Sequence, residues 1–540
     1  MYELVKIFTF EKTLHAFKTM MLVLFAALLL AKAYSTLHWR IEHDTPVMLY
    51  ASFLMNKYGF FPYRDIFEIS MPGAYAFYYL MGRLVGFGDF AIHCVDLFLL
   101  SILLAGTYLF MRRFGNYVAI WSAVIFGLQY LVLSQTMTLQ RDYIGVIPIA
   151  FGLLAIPDKV DIQVRLARFA YMGLMFGLAV LIKPHLGIAL PIVFGTLLAF
   201  RWQTINKSMY DLILCAIATG LSLLLPVAIA LIWLALNAAL TPFIDMVVHY
   251  LPLYNDMTGD LEFIPQSLRI SYLIQETLKF HYFIIIFLGA LFSYYYALTN
   301  IGKNKANAIS LACLFLCTLS YLIYVSIAGK FWPYHYVPFA YFCSIATGLC
   351  FIGYTKKDSS EYAGKAGKLL PMFILIIVSI VQLNLYNYVS NLSDELRAPL
   401  ELVEKKYAPK GGRVDEIAHW LKSRLQPGDT VQPLDVTGGS VQGMLIAEAK
   451  IATKFILDWQ FYFHVSSPYI QGLRKQFITQ LNNSPPRFVI EVTTDKPWVS
   501  GIDTTNKFPE LGSFLNDHYS IVFYGKGYEI WERHNNMEIQ

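Results

Sequence analysis

Charged residues are scarce in this 540-residue chain: they make up 15% of it, while 56% of the residues are hydrophobic. Soluble domains carry about 25% charged residues, so this composition excludes an ordinary soluble enzyme and a disordered chain. Cysteine is also rare, and the six cysteines all lie in apolar segments. They predict neither a disulfide framework nor a thiolate metal site. The net charge of +5 is too small to indicate nucleic acid or another polyanion as a partner.

The abundant residues are apolar, and they are grouped into long runs. A membrane helix needs about 20 mostly apolar residues. Eleven segments approach that length: 19–38, 92–111, 117–134, 143–157, 169–182, 186–200, 212–236, 282–299, 308–328, 337–354 and 369–389. The sequence therefore predicts a polytopic α-helical membrane protein with about 11 transmembrane helices.

The lysines and arginines of the short connecting loops predict the orientation of these helices. With the N-terminus in the cytoplasm, the inner loops hold 16 basic residues in 67 positions, and the outer loops hold 9 in 117. Basic residues are enriched on the cytoplasmic side of membrane proteins. We therefore expect a cytoplasmic N-terminus and, after an odd number of spans, a C-terminal tail on the outer face.

That tail changes in character, which predicts two domains, 1–390 in the membrane and 391–540 as a small extracytoplasmic α/β domain. Residues 414–425 have the pattern of an amphipathic helix, which a Gln-Pro-Gly-Asp turn ends. Phe488–Val492 has the pattern of a buried strand, and residues 521–524 and 528–531 flank a Gly-Lys-Gly hairpin turn.

The first outer loop, residues 39–91, is long for a connection and rich in carboxylates and aromatics, which is typical of a functional loop. Thr45–Tyr58 within it has the pattern of an interfacial helix. Asp44 lies at the outer edge of the bilayer, where it could accept a proton from a hydroxyl or hold a divalent ion against a phosphate. It could instead cap the helix that begins at Thr45-Pro46.

Three other outer loops bring polar groups to the same depth: Arg141-Asp142, Lys183-Pro184-His185 and Tyr334-His335-Tyr336. Ionisable groups at membrane depth usually line a pathway or a site. Two acids with Lys183, Arg64 and His335 would suit a phosphate-bearing lipid. Other interpretations stay open: a local Arg141–Asp142 ion pair or helix cap, a snorkelling Lys183, an aromatic belt at Tyr334–Tyr336, and pairing of Asp65 and Glu68 with Arg64.

The order of these motifs resembles the GT-C superfamily of membrane glycosyltransferases, in particular bacterial protein O-mannosyltransferases and lipid A aminoarabinose transferases. The features that carry the resemblance run along nearly the whole chain: Asp44, Tyr50-Ala51, Gly59, Pro62-Tyr63-Arg64-Asp65, Pro72-Gly73, the Gly177–Pro184 segment, Pro333-Tyr334-His335-Tyr336 and the closing tail. Many family members have two adjacent acids at the first position, whereas this chain has His43-Asp44-Thr45. The need for a divalent metal is therefore left open, and no other cofactor is predicted.

The resemblance implies a glycosyltransferase in the bacterial inner membrane. It would move a sugar from a polyprenyl-phosphate carrier to an acceptor hydroxyl of a glycan, lipid or protein on the periplasmic face. It implies catalytic roles for Asp44 and Asp142, and contact of Lys183 with the donor phosphate. We add Arg64, Arg141 and His335 as phosphate ligands. The remaining residues expected to line the site are His43, Asp65, Glu68, His185 and Tyr334.

Two other functions remain open from the sequence. A transporter or flippase of a lipid-linked sugar would place polar residues through the midplane and show repeated halves, and the sequence has neither. A non-catalytic partner in glycan assembly would bind a lipid donor without turning it over.

Overall fold

The computed structural model describes residues 2–160, 162–205, 207–279, 283–302, 304–352, 408–494, 496 and 498–534. The predicted span at 369–389 and the predicted domain boundary at residue 390 lie outside these ranges, so both stay predictions. The described part of the chain consists of a helical region up to residue 352 and an α/β region from residue 408.

The helical region contains fifteen α-helices in its described residues. They are α1 Tyr2–Thr36, α2 Thr45–Tyr58, α3 Pro72–Val85, α4 Asp89–Met111, α5 Asn116–Val132, α6 Arg141–Leu153, α7 Leu166–Ile182, α8 Leu190–Thr204, α9 Met209–Leu236, α10 Leu240–Asp245, α11 Leu251–Asn255, α12 Gln266–Lys279, α13 Ile284–Asn300, α14 Lys305–Ala328 and α15 Val337–Thr347. Short 3-10 turns at Pro184–Ala189 and Pro333–Tyr336 precede α8 and α15.

Within the described residues, five helices are long and apolar enough to cross a membrane: those containing Ala16–Thr36, Asp89–Phe114, Pro184–Thr204, Met209–Leu236 and Lys305–Ala328. A sixth is added if α12 and α13, bent by 70°, count as one span. The prediction of a helical membrane protein is confirmed, while the count of eleven stays a prediction. The other apolar helices are shorter, and α6 has only 13 residues.

Glycines allow the helices around the outer end to approach closely. A Cβ atom at Gly177 of α7 would lie 2.4 Å from the carbonyl oxygen of Leu223 in α9, and one at Gly73 of α3 would lie 2.6 Å from that of Leu181 in α7. Neither distance is tolerable for a real side chain. The contact at Gly73 brings residues 39–91 against the end of α7, immediately before Lys183.

The tail is a five-stranded sheet with helices packed on it, as the sequence predicts. Its helices are α16 Arg413–Lys422, α17 Ser440–Ile446, α18 Pro468–Asn483 and α19 Pro509–His518, and its strands are β2 Thr430–Leu434, β3 Lys450–Ile451, β4 Phe488–Val492, β6 Tyr519–Gly525 and β7 Tyr528–Arg533. The strand order is β3-β2-β4-β7-β6, parallel among the first three strands and antiparallel for the last two. The predicted strand at Phe488–Val492 and the predicted C-terminal hairpin are both confirmed.

The tail is joined to the outer loops of the helical region by polar contacts and a strand pair. Strand β1, Glu262–Phe263, pairs in parallel with β5, Ser500–Gly501. Tyr50 donates to the carbonyl of Ala449 at 2.8 Å, and Gln442 donates to that of Ile41 at 2.8 Å. The sheet domain therefore lies directly on the loop that carries Asp44.

Helix α2 has the bounds predicted for it, but its surroundings are protein. Residues 45–55 are all buried, because α2 packs between α3 and α17 of the tail. Only its last turn is exposed, and that turn ends at Gly59 in the left-handed conformation that glycine favours. The helix therefore forms part of the wall beneath the tail.

Candidate active site

Asp44 lies at the start of α2, but its side chain does not cap that helix. Its Oδ2 accepts a hydrogen bond from Arg141 Nη2 at 3.1 Å, and its Oδ1 lies 2.9 Å from Nδ1 of His43. Burial disfavours the charged carboxylate, but His43 and Arg141 outweigh this effect and hold the pKa of Asp44 well below its usual value. The carboxylate is therefore ionised at neutral pH and faces cations.

Arg141 and Asp142 begin α6, and the loop before them is held in a strained shape. Leu139 has a φ of 53°, which is unfavourable for a branched side chain. The N–H of Leu139 donates to Asp96 Oδ1 at 3.3 Å, and its carbonyl accepts a hydrogen bond from Tyr78. These two buried contacts fix the direction in which α6 begins.

Arg141 and Asp142 do not pair with each other, because each has a partner from another part of the chain. Arg141 binds Asp44 and also donates to Ser70 Oγ at 2.6 Å. Asp142 accepts from Lys183 Nζ at 2.9 and 3.0 Å and from the hydroxyl of Tyr324. Two acid–cation pairs therefore lie side by side, joined through adjacent residues of one helix.

Lys183 reaches Asp142 because the chain leaves helical geometry at that residue, between α7 and the turn at Pro184–Ala189. Its side chain is only 19% exposed and that of Asp142 is 1% exposed. Burial lowers the pKa of Lys183, although the Asp142 carboxylate opposes this effect. Lys183 is therefore paired with Asp142 inside the protein and does not extend freely to the membrane surface.

The Pro333–Tyr336 turn completes this cluster. Tyr334 and His335 are 2% and 5% exposed, which places them inside the protein rather than in a lipid-facing belt. The Tyr334 ring lies edge-on to His43 at 5.5 Å. Burial and the neighbouring Lys183 and Arg141 lower the pKa of His335 well below its ordinary value. His335 is therefore neutral, and its Nδ1 has no hydrogen-bond partner among the described residues.

A cavity of about 230 Å³ opens beside Asp44. Residues of both the helical region and the tail line it: His43, Asp44, Val47, Met48, Phe67, Glu68, Ile69, Arg141, Tyr250, Tyr254, Met257, Gly259, Leu261, Trp332, Val436, Thr437, Leu457, Trp459 and Gln460. The cavity combines a small charged group with a large apolar and aromatic surface, which is the usual composition of a small-molecule site.

The other predicted site residues fall at different distances from the cavity. Glu68 lines it and accepts hydrogen bonds from Ser70 N and Tyr75. Arg64 and Asp65 pair with each other at 2.8 Å and are not part of the lining. His185 is exposed, and its ring lies 6.5 Å from that of Tyr324.

The donor set around Asp44 does not fit a divalent metal. Both of its carboxylate oxygens are already engaged, Oδ1 by His43 and Oδ2 by Arg141. Among the residues that the structure describes, no three His, Cys, Asp or Glu side chains are grouped as metal ligands. A cation-rich group of this kind suits a phosphate instead.

Sequence reasoning missed several residues of this site. Tyr324 lies near the end of the apolar helix α14, and nothing in that run distinguishes it from a core tyrosine. Lys330 lies in the loop before Pro333 and donates to the carbonyls of Tyr254 and Met257 at 2.8 and 2.5 Å. A single lysine in a loop gives no sign of such contacts. Trp459 and Gln460 belong to the tail, where no motif indicated a site.

The fold is GT-C-like. No family model matches the sequence, and no curated protein matches it either. The structure is similar to ArnT from Cupriavidus metallidurans bound to undecaprenyl phosphate, with a TM-score of 0.58 and 12% identity over 96% of this chain and 99% of that one.

The apo state of the same ArnT gives a TM-score of 0.58 and 13% identity, over 95% of this chain and 98% of that one. At these identities the likeness concerns the fold, and it extends over the described tail as well as the helices. The resemblance to the GT-C superfamily that the sequence motifs indicate is thus confirmed at the level of the fold.

Proposed function

We propose that this protein is a glycosyltransferase that moves a sugar from a polyprenyl-phosphate carrier to an acceptor hydroxyl. The observation that carries the proposal is the pair of adjacent ion pairs, Asp44–Arg141 and Asp142–Lys183, beside an aromatic cavity. Two cations suit the phosphate of the donor, and a carboxylate at the cavity suits the acceptor hydroxyl. The GT-C-like fold supports the same reaction class.

In the proposed reaction, the acceptor oxygen attacks the anomeric carbon of the donor sugar. The new glycosidic C–O bond forms as the bond between that carbon and the phosphate oxygen breaks, and the electron pair leaves with the polyprenyl phosphate. The hydroxyl proton passes to Asp44. A single displacement of this kind inverts the anomeric configuration.

The ion pairs explain how donor binding could prepare the base. A carboxylate held by His43 and Arg141 accepts a proton poorly, because its pKa is low. A donor phosphate that binds Arg141 would weaken the hold of this cation on Asp44 and raise its basicity. Lys183, stabilised by Asp142 until then, would offset the charge that develops on the leaving phosphate.

The membrane setting is part of the proposal. We place the N-terminus in the cytoplasm of a bacterial cell, eleven spans in the inner membrane, and the tail from residue 391 in the periplasm. The acceptor is a glycan, lipid or protein hydroxyl. We retain Asp44 and Asp142 as catalytic residues and Lys183, Arg141 and His335 as phosphate ligands, whereas the pairing of Arg64 with Asp65 favours a role in shaping the loop.

The test uses the full-length chain in lipid nanodiscs with a panel of undecaprenyl-phosphate-linked sugars and bacterial envelope extract as acceptor. Release of undecaprenyl phosphate and the mass of the glycosylated product are measured by mass spectrometry. We expect release with the wild type, release about a thousandfold slower with Asp44→Asn, and normal release with Asp517→Asn, which changes an exposed acid of the tail. Translocation of the sugar-linked lipid across sealed vesicles that contain the protein, without release of undecaprenyl phosphate, would contradict the proposal and favour a flippase.

A further inference from the structure

Besides its aliphatic side chains, the lining of the cavity contains two chemical groups that bear on its ligand. One is charged and comes from the helical region: His43, Asp44, Glu68 and Arg141. The other is aromatic and includes Tyr250, Tyr254, Trp332 and Trp459. Trp459 is the aromatic residue that the tail contributes to this lining.

Trp459 is held in place by other rings. Its ring lies 5.6 Å from Tyr254 at an interplanar angle of 74°, and 5.2 Å from Phe463. The residue is 7% exposed, and it borders the cavity. Tyr254 is fixed in turn by Lys330, whose ammonium group lies 4.4 Å from its ring centre and donates to its carbonyl. The aromatic wall is therefore rigid and built from both regions of the chain.

A ligand that matches both groups needs an apolar face and a polar edge on one small ring. A sugar ring has this combination, since its C–H groups pack on aromatic faces and its hydroxyls bond to charged groups. A long acyl chain would offer no polar group to Glu68 and Arg141 where they border the cavity. Carbohydrate is thus the class that the lining favours.

We propose that Trp459 and Tyr254 form a binding subsite for a carbohydrate ring, so that the tail takes a direct part in substrate recognition. The inference rests on the proposed function, because the ring belongs either to the sugar of the lipid donor or to a sugar of the acceptor. It adds a specificity-determining residue, Trp459, in a domain with no role assigned so far.

The first experiment measures binding without turnover. Full-length protein in nanodiscs is mixed with millimolar methyl α-glucopyranoside, methyl α-mannopyranoside or methyl β-arabinopyranoside, and saturation-transfer NMR reports contact with the ring protons. We expect binding of at least one glycoside by the wild type, about tenfold weaker binding by Trp459→Leu, and little change for Trp459→Phe, which keeps an aromatic face.

Two controls separate a lost subsite from a damaged fold. Trp531→Phe changes a tail tryptophan on β7 that does not line the cavity, and it should bind glycosides as the wild type does. Undecaprenyl phosphate should bind equally well to all variants. Equal glycoside binding by Trp459→Leu and the wild type would overturn the proposal, as would absence of glycoside binding by a wild type that still binds undecaprenyl phosphate.

The transfer assay then separates the two sources of the ring. A rise in KM for the lipid-linked sugar in Trp459→Leu assigns the subsite to the donor, and a rise in KM for the acceptor assigns it to the acceptor. Unchanged values for both would contradict the subsite. A wild type that binds glycosides through Trp459 but never releases undecaprenyl phosphate would instead refute the proposed function and leave the subsite standing.

Discussion

Among the described residues, two groups of buried ion pairs invite comparison: one lies near the C-terminal end of α8, and the other lies around Lys183, before the turn that leads into α8. At the far end from Lys183, the guanidinium of Arg201 binds Asp211 through three contacts of 2.6–2.9 Å and donates to the carbonyl of Val164. Near Lys183, the partners come from three separate segments, and Asp44 and Arg141 border a cavity. The Arg201–Asp211 pair is closed on itself, whereas the Asp44–Arg141 pair borders a cavity that can hold a ligand.

This difference shows why ion pairing alone does not identify a site. Both groups are poorly exposed, with side-chain exposures of about 10% for Arg201 and Asp211 and about 20% for Asp44 and Arg141. What separates them is the cavity and the assembly of cations from distant segments. We therefore expect changes at the outer pairs to affect turnover and changes at the far pair to affect stability.

The largest effect should follow from Asp44→Asn. We expect the transfer rate to fall about a thousandfold, because the variant loses the proton acceptor. The thermal unfolding temperature should change by only a few degrees, since the amide still accepts a hydrogen bond from Arg141. The rate of undecaprenyl phosphate release checks this. Full activity in the variant would remove Asp44 from the mechanism.

The converse variant is Asp211→Asn at the closed pair. It leaves the Arg201 charge buried without its partner, which should lower the free energy of unfolding by about 3 kcal/mol. Transfer activity per folded molecule should not change. Denaturant unfolding in detergent gives the first quantity and the nanodisc assay gives the second. A catalytic defect with normal stability would break the contrast between the two pairs.

Lys183→Met should raise the donor KM about thirtyfold, since it removes a charged ligand of the phosphate. It also leaves Asp142 buried without its cation, so the double variant Lys183→Met/Asp142→Asn is the matched control. The double variant should recover stability but not donor affinity. Recovery of both would show that Lys183 serves only to neutralise Asp142.

The smallest effect concerns pH. The nearby Asp44 raises the pKa of His43 above its ordinary value even though burial opposes this. Because the pKa of His43 is higher in the folded state, its protonated ring stabilises the fold fully below pH 6.5. This contribution is lost as the pH rises through the folded-state pKa. The unfolding temperature of the wild type should therefore exceed that of His43→Gln at pH 6 and approach it at pH 8.5. A constant difference in unfolding temperature across this pH range would show that protonation of His43 does not contribute to stability.

Much of the helical region can be predicted from the sequence, because its signals are local. Long apolar runs specify the helices. Thr45-Pro46 specifies the start of α2, and Gly59 specifies its end. The gathering of Asp44, Arg141, Asp142 and Lys183 also follows from loop charges and topology. What could not be predicted is which acid pairs with which cation, since adjacent Arg141 and Asp142 bind partners on different segments.

Residues that act through distant contacts give no comparable signal. Arg64 has the charge and the loop expected of a phosphate ligand, yet its direction is decided by Asp65 next to it and the carbonyl of Asn237. Tyr324 looks like any core tyrosine in an apolar helix. Trp459 reaches the cavity only because β1–β5 pairing and α2–α17 packing seat the tail on the first outer loop.

The pairing of β1 with β5 also sets an order of events during synthesis. Glu262 and Phe263 belong to a loop made in the first half of translation, but Ser500 and Gly501 emerge close to the end. Contacts between such distant segments form late, because a long stretch of chain must first be ordered. The cavity therefore lacks its tail-derived side until the polypeptide is almost complete, and a truncated or stalled product would hold the charged residues without the surface that encloses them.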